Sequence, residues 1–340
     1  MTPVRSVFRS AVLFVTALSV VAAAQAQVTL KLATVAPRDS RWHEILADMG
    51  DAWSEASDGD VRLKIYAGTL GDEDDIMRRI RIGQLDAAAV TTAGLSTVDP
   101  TALVLSVPLL FETEEELDHV RELLAPRLEK VLEESGFIVL NWGEAGWVRF
   151  FTKEPVRTPE DLGRLKLFVW ASGTQIDGYY KDAGFQPVPL ALSDVLTGLQ
   201  TRMVTAVPTT PLAALANQWF PATPHMSDLR WAPLVGATIV SKKGWRKVPE
   251  KHREKLIEIA RNTGVTLREE TRRLESEALD VLAERGVETV PLSESEHETW
   301  RELTRSFHPK IRTELIDAAI FDEAVRLRDA HRASSSTDGS

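Results

Sequence analysis

RFFTKEPVRTPEDLGRLKLFVWASGTQIDGYYKDAGFQPVPLALSDVLTGLQT, residues Arg149 to Thr201, is the stretch on which the reading of this chain turns. Within it Thr158-Pro159-Glu160-Asp161-Leu162 reads as a turn, Lys166-Leu167 opens a strand, and a helical stretch closes at Ala183-Gly184. Pro187-Val188-Pro189, Ser193-Asp194-Val195 and Leu199-Gln200-Thr201 follow in order. Upstream, Val28 to Val35 alternates apolar and polar residues as a first strand does. Asp39 or Ser40 then caps a helix that carries Trp42, Ile45, Leu46, Met49 and Trp53 on one face. Asp58-Gly59 stops that helix, Val61 to Tyr66 is a second strand, and Leu70-Gly71-Asp72-Glu73-Asp74-Asp75 opens another helix. Its acidic first turn complements the helix dipole and reads as a solvated terminus. Leu85 to Thr91 is a short buried strand, so the order is βαβαβ and the sheet is expected to be parallel.

Further along, a helix is expected from about Glu114 to Glu134, leading through Gly136 into a strand from Phe137 to Trp142. Gly236 to Ser241 reads as a strand that returns to the first half of the chain. After Pro249 only Gly264 interrupts the helical pattern before Gly286. A helix of that length is on the order of 50 Å long and cannot belong to one small lobe. It is expected to be a strut packed across both lobes.

The chain has 340 residues, 44% of them hydrophobic and 26% charged, with a formal net charge of -10. That is enough for one large or two medium domains. An acidic chain without a basic stripe excludes nucleic acid as a partner. Arg5 and Arg9, the apolar run Ala11 to Ala24 and the Ala24-Gln25-Ala26 site have the pattern of a secretory signal peptide over residues 1–26. The apolar run is shorter than the ~20 residues of a spanning helix, so the mature chain is not expected to be membrane-embedded. There is no cysteine, which excludes disulfides and lipid attachment at cysteine.

Catalytic and cofactor motifs are missing from the sequence. His43-Glu44 and His297-Glu298 each lack the second histidine of a zinc pair, so no metal site is expected. There is no nucleophile elbow, phosphate loop or dinucleotide-binding glycine turn. Catalytic residues and cofactors are therefore assigned as none, and the chain is not expected to be an enzyme.

The stretch Arg149 to Thr201 resembles the second lobe of TRAP transporter solute receptors of the DctP type. Tyr66-Ala67-Gly68-Thr69-Leu70-Gly71-Asp72-Glu73 and Arg81-Ile82-Gly83-Gln84-Leu85-Asp86 resemble the second βα unit of the first lobe. The resemblance implies an α/β, two-lobe periplasmic binding protein fold with a long helix bridging both lobes. It divides the chain into residues 27–146 plus 235–262 as lobe I and 147–234 plus 280–330 as lobe II. Residues 263–279 form the bridging helix and 331–340 a disordered polar tail. The sheet is not expected to run continuously through both halves.

The same resemblance implies a ligand site in the cleft between the lobes. Acid-binding members of the family use a strand Arg as carboxylate clamp, and that position here is Phe168. A second Arg on the preceding strand is present as Arg149. Val35 after the first strand, Thr91 after the Leu85 strand, and Thr209 and Thr210 stand where polar or acidic contacts occur in relatives. Trp147 and Trp170 complete the expected site, since tryptophan offers a broad apolar face with one donor. Arg149 is expected either to fork onto one ligand carboxylate or to hold an ion pair within its lobe. The implied function is periplasmic capture of a relatively apolar small molecule, a monocarboxylate among the candidates, and its delivery to TRAP membrane permease subunits. The alternative is a receptor-like component that binds a lipid or a partner complex.

Overall fold

The computed structural model describes residues 27–170 and 176–338. The expected signal peptide, 1–26, lies outside the described residues. Among the described residues there are ten strands: β1 (Val28–Thr34), β2 (Val61–Ala67), β3 (Ala87–Thr91), β4 (Phe137–Thr152), β5 (Lys166–Trp170), β6 (Gln186–Leu190), β7 (Ala206–Thr209), β8 (His225–Ser227), β9 (Ala232–Ser241) and β10 (Glu288–Val290). They follow the order β2-β1-β3-β9-β4-β7-β5-β6, with β8 beside β4 and β10 beside β8. β1 is parallel to β2 and β3, and β5 is parallel to β6 and β7. β9 lies antiparallel between β3 and β4.

This is the mixed α/β, two-lobe arrangement, with one correction. The strand expected to end at Trp142 continues to Thr152. Its first part pairs with β9, and Arg149 to Thr152 pair with β7 and β8, so hydrogen bonding runs through both halves. Register shifts between Val139 and Asn141 and between Glu144 and Trp147 relieve the long strand. Bulges of this kind bend a strand and raise its local twist, which lets one strand serve two sheets of different orientation.

The strut is one continuous helix, Glu250–Glu284. Leu256 and Ala260 pack in the core with Leu30, Leu32 and Trp53, and the Trp53 indole donates to the Leu256 carbonyl at 2.9 Å. Toward its other end Leu282 packs with Phe151 and Met226. Gly264 does not break the helix because it is the contact point. A Cβ there would stand 2.7 Å from the Asn141 Cβ and 2.8 Å from the Trp142 carbonyl oxygen. A side chain would push the helix off β4.

At the C-terminus a second correction applies. The segment 331–338, expected to be disordered, is the end of helix Ala318–Asp338. Arg332 forks onto Glu116 at 2.7 and 2.9 Å, and His331 stacks on His119. Those tertiary partners outweigh the weak helix preference of the serines. Ser334 and Ser335 bond back to the His331 carbonyl, the usual way such side chains are satisfied in a helix.

Candidate functional site

Strand ends on both sides of the β4 crossing open into one cavity of about 350 Å³. From the first half, Thr34 to Pro37 follow β1 and Val90 to Ala93 close β3. From the second, Phe168, Val169 and Trp170 of β5 and Pro208 and Thr209 of β7 face it. Tyr179, Tyr180, Trp219 and Trp231 add aromatic wall. Phe168 is fixed by the buried cluster of Val195, Leu199, Val204, Val207 and Trp219, so its ring is a preformed apolar surface. The Trp231 indole donates to the Tyr180 hydroxyl at 3.4 Å, and its ring packs on Phe150 and Trp300.

Of the residues expected at the site, Val35, Thr91, Phe168, Trp170 and Thr209 line this cavity. Arg149, Trp147 and Thr210 are not among its lining residues. Arg149 is buried and its Nη1 donates to the carbonyl of Asp228 at 2.8 Å and to its carboxylate at 3.0 Å. It holds a lobe-internal pair because β4 turns this side chain toward the segment after β8. Trp147 is buried, and its backbone N–H donates to both Glu275 oxygens at 3.0 and 3.1 Å, so the bridging helix clamps it. Thr210 caps the helix Pro211–Ala216 by accepting from the Ala213 N–H.

Two carboxyl groups in the lining were not read from the sequence: Glu73 and Glu144. Glu73 is buried, not solvated, and burial pushes its carboxyl above the ordinary range. Its oxygens accept the Thr91 N–H and the Thr91 hydroxyl, each at 2.7 Å. A signal was present, because Glu73 falls on the same helical face as buried Ile76, Met77 and Ile80. Glu144 accepts from Arg272 at 2.5 and 3.1 Å. Nothing local marks it, since its partner lies on the bridging helix.

Residues 32–314 match the family model for bacterial extracellular solute-binding protein, family 7, called DctP. The chain belongs to this family. A solute-binding protein of Chromohalobacter salexigens is 26% identical over 210 residues, which span 61% of this chain and 62% of that relative. The sugar acid binding protein DctPAm of Advenella mimigardefordensis, solved with galactonate, superposes with a TM-score of 0.83 at 20% identity, covering 89% of this chain and 98% of that one. A TRAP periplasmic solute binding protein of Ralstonia eutropha H16, solved with (S)-2-acetolactate, gives a TM-score of 0.83 at 20% identity over 89% and 99%. Among the described residues no helix is long and apolar enough to cross a membrane.

Proposed function

We propose that the chain is a periplasmic receptor of a TRAP-type secondary transporter that captures a relatively apolar small molecule and delivers it to the membrane permease. The observation that carries this reading is the cavity at the β4 crossing, walled by Phe168, Trp170, Val35 and Trp231. A concave apolar site with a few fixed polar groups is what a small-molecule receptor needs. Strand ends from both halves of the chain contribute to it, so a hinge motion about the crossing would trap the ligand. The resemblance puts Phe168, Val35 and Thr91 at positions where acid-binding members of the family carry charged or polar contacts.

Native mass spectrometry of protein purified from the periplasm, followed by calorimetry with the molecule it retains, tests this reading. A retained small apolar molecule that rebinds with a one-to-one stoichiometry is the expected result. A retained phospholipid, or a stable protein complex with an empty cavity, would support the receptor-like lipid or partner component instead.

A further inference from the structure

The charge in the cavity wall has the wrong sign for an acid. Among the described lining residues there is no Lys, Arg or His, and the carboxyl groups are those of Glu73 and Glu144. Glu144 is matched by Arg272. Glu73 is not matched by a cation. Its donors are the Thr91 amide, the Thr91 hydroxyl and the Gly94 amide, all neutral, and the charge acting on it is that of Asp74. The arginines around β4 are committed elsewhere: Arg149 to Asp228, and Arg268 to the carbonyls of Trp142 and Gly264.

A ligand carboxylate in this cavity would lose its hydration with no cation to replace it, and Glu73 would supply an acceptor where the acid needs a donor. A hydroxyl or ammonium would meet an acceptor already held in place. Each carboxylate oxygen has room for two hydrogen bonds, and Oε1 of Glu73 accepts one from the Thr91 amide. We propose, resting on the receptor reading above, that the cavity selects apolar compounds carrying a hydrogen-bond donor and no acid group, with Glu73 as the polar anchor. The selection against acids is set by the wall as a whole: Phe168 stands where a cation would be needed, and the carboxyl groups in the lining supply none.

Three probes of one carbon skeleton test this by calorimetry near neutral pH: cyclohexylmethanol, cyclohexylmethylamine and cyclohexanecarboxylate. The alcohol or the amine should bind at least about tenfold more tightly than the acid, and which of the two is tighter tells a hydroxyl site from an ammonium site. Glu73→Gln should shrink the amine's advantage over the acid about tenfold. Phe168→Arg should reverse the preference, and Val35→Arg, at the partly buried end of β1, serves if the first variant does not fold. Acid binding as tight as that of the better of the alcohol and the amine would overturn the proposal and leave the receptor reading standing. If no probe binds, the molecule retained in native mass spectrometry decides: a neutral or basic one supports the proposal and an acid overturns it. A protein that retains nothing and binds no probe loses the receptor reading and this inference together.

Discussion

Strand β4 borders two regions that handle charge in opposite ways. Where it meets the bridging helix, Arg272 bonds Asp118 at 2.8 and 2.7 Å and Glu144 at 2.5 and 3.1 Å, while Arg121 bonds Asp118 at 2.6 Å. Where the cavity opens, the described lining offers no basic side chain and presents aromatic rings. The difference teaches that the guanidinium groups around this strand hold the bridging helix and the lobes in register, and in the proposal above ligand recognition is left to shape and to Glu73.

The largest expected effect is on the charged side of that contrast. Arg272→Leu leaves the buried Glu144 without its forked partner, since Arg121 stands 3.7 Å away. Stripping one partner from such a pair costs on the order of 3 kcal/mol. Urea denaturation would measure it, and adding Glu144→Gln should restore part of the loss because the two groups are coupled. A loss under about 0.5 kcal/mol would class the network with ordinary surface pairs and erase the comparison.

A pH experiment sharpens the same side. Burial pushes the Glu275 carboxyl up to about 7, and its oxygens hold the Trp147 N–H. The folded protein therefore keeps this proton at pH values where the unfolded chain has lost it. Stability contributed by Glu275 should fall as pH rises from the usual carboxylate range through about 7 and level off above it, by roughly 3 kcal/mol. Glu275→Gln preserves an acceptor for Trp147 and should flatten this part of the profile. An unchanged slope in thermal melts of the variant would place the titration elsewhere.

On the cavity side, smaller effects on affinity are expected. Phe168→Ala and Trp170→Ala should each weaken the retained molecule about tenfold, near 1.4 kcal/mol. Trp147→Ala should instead lower stability with little effect on affinity, because that ring is packed under the Arg230 guanidinium, 5.2 Å from its centroid. Calorimetry beside melting curves separates the two outcomes. Equal affinity in the Phe168 and Trp170 variants would move the site off β5. The smallest change is a control far from both regions: Ser293→Ala breaks the capping box of helix Glu294–Lys310 and should cost about 1 kcal/mol without touching binding.

The sequence carried the local parts of this molecule well. Helix Glu114–Glu134 and the strut after Pro249 came out at their expected limits because a cap or breaker marks each end. Phe168 and Trp170 were legible as cavity-facing positions from their place in a recognisable strand. The partners of Arg149, Trp147 and Thr210 were not legible, because each is distant in sequence or part of a cap that no spacing reveals: Asp228, Glu275 and the Ala213 N–H. Glu73 was misread as a solvated helix start, although its helical phase with Ile76, Met77 and Ile80 pointed inward.

What the sequence by itself determined is the alternation of strands and helices, the apolar character of the clamp position at Phe168 and the family to which the chain belongs. These depend on residues within a few positions of one another, where periodicity, caps and turns act. Only the tertiary structure decided that β4 runs unbroken through both sheets, and that Gly264 admits the helix to its surface. It also decided which charges face the cavity. Burial and pairing are properties of what the folded chain brings together, and the partners of Arg149, Glu144 and Trp147 lie 79, 128 and 128 residues away along it.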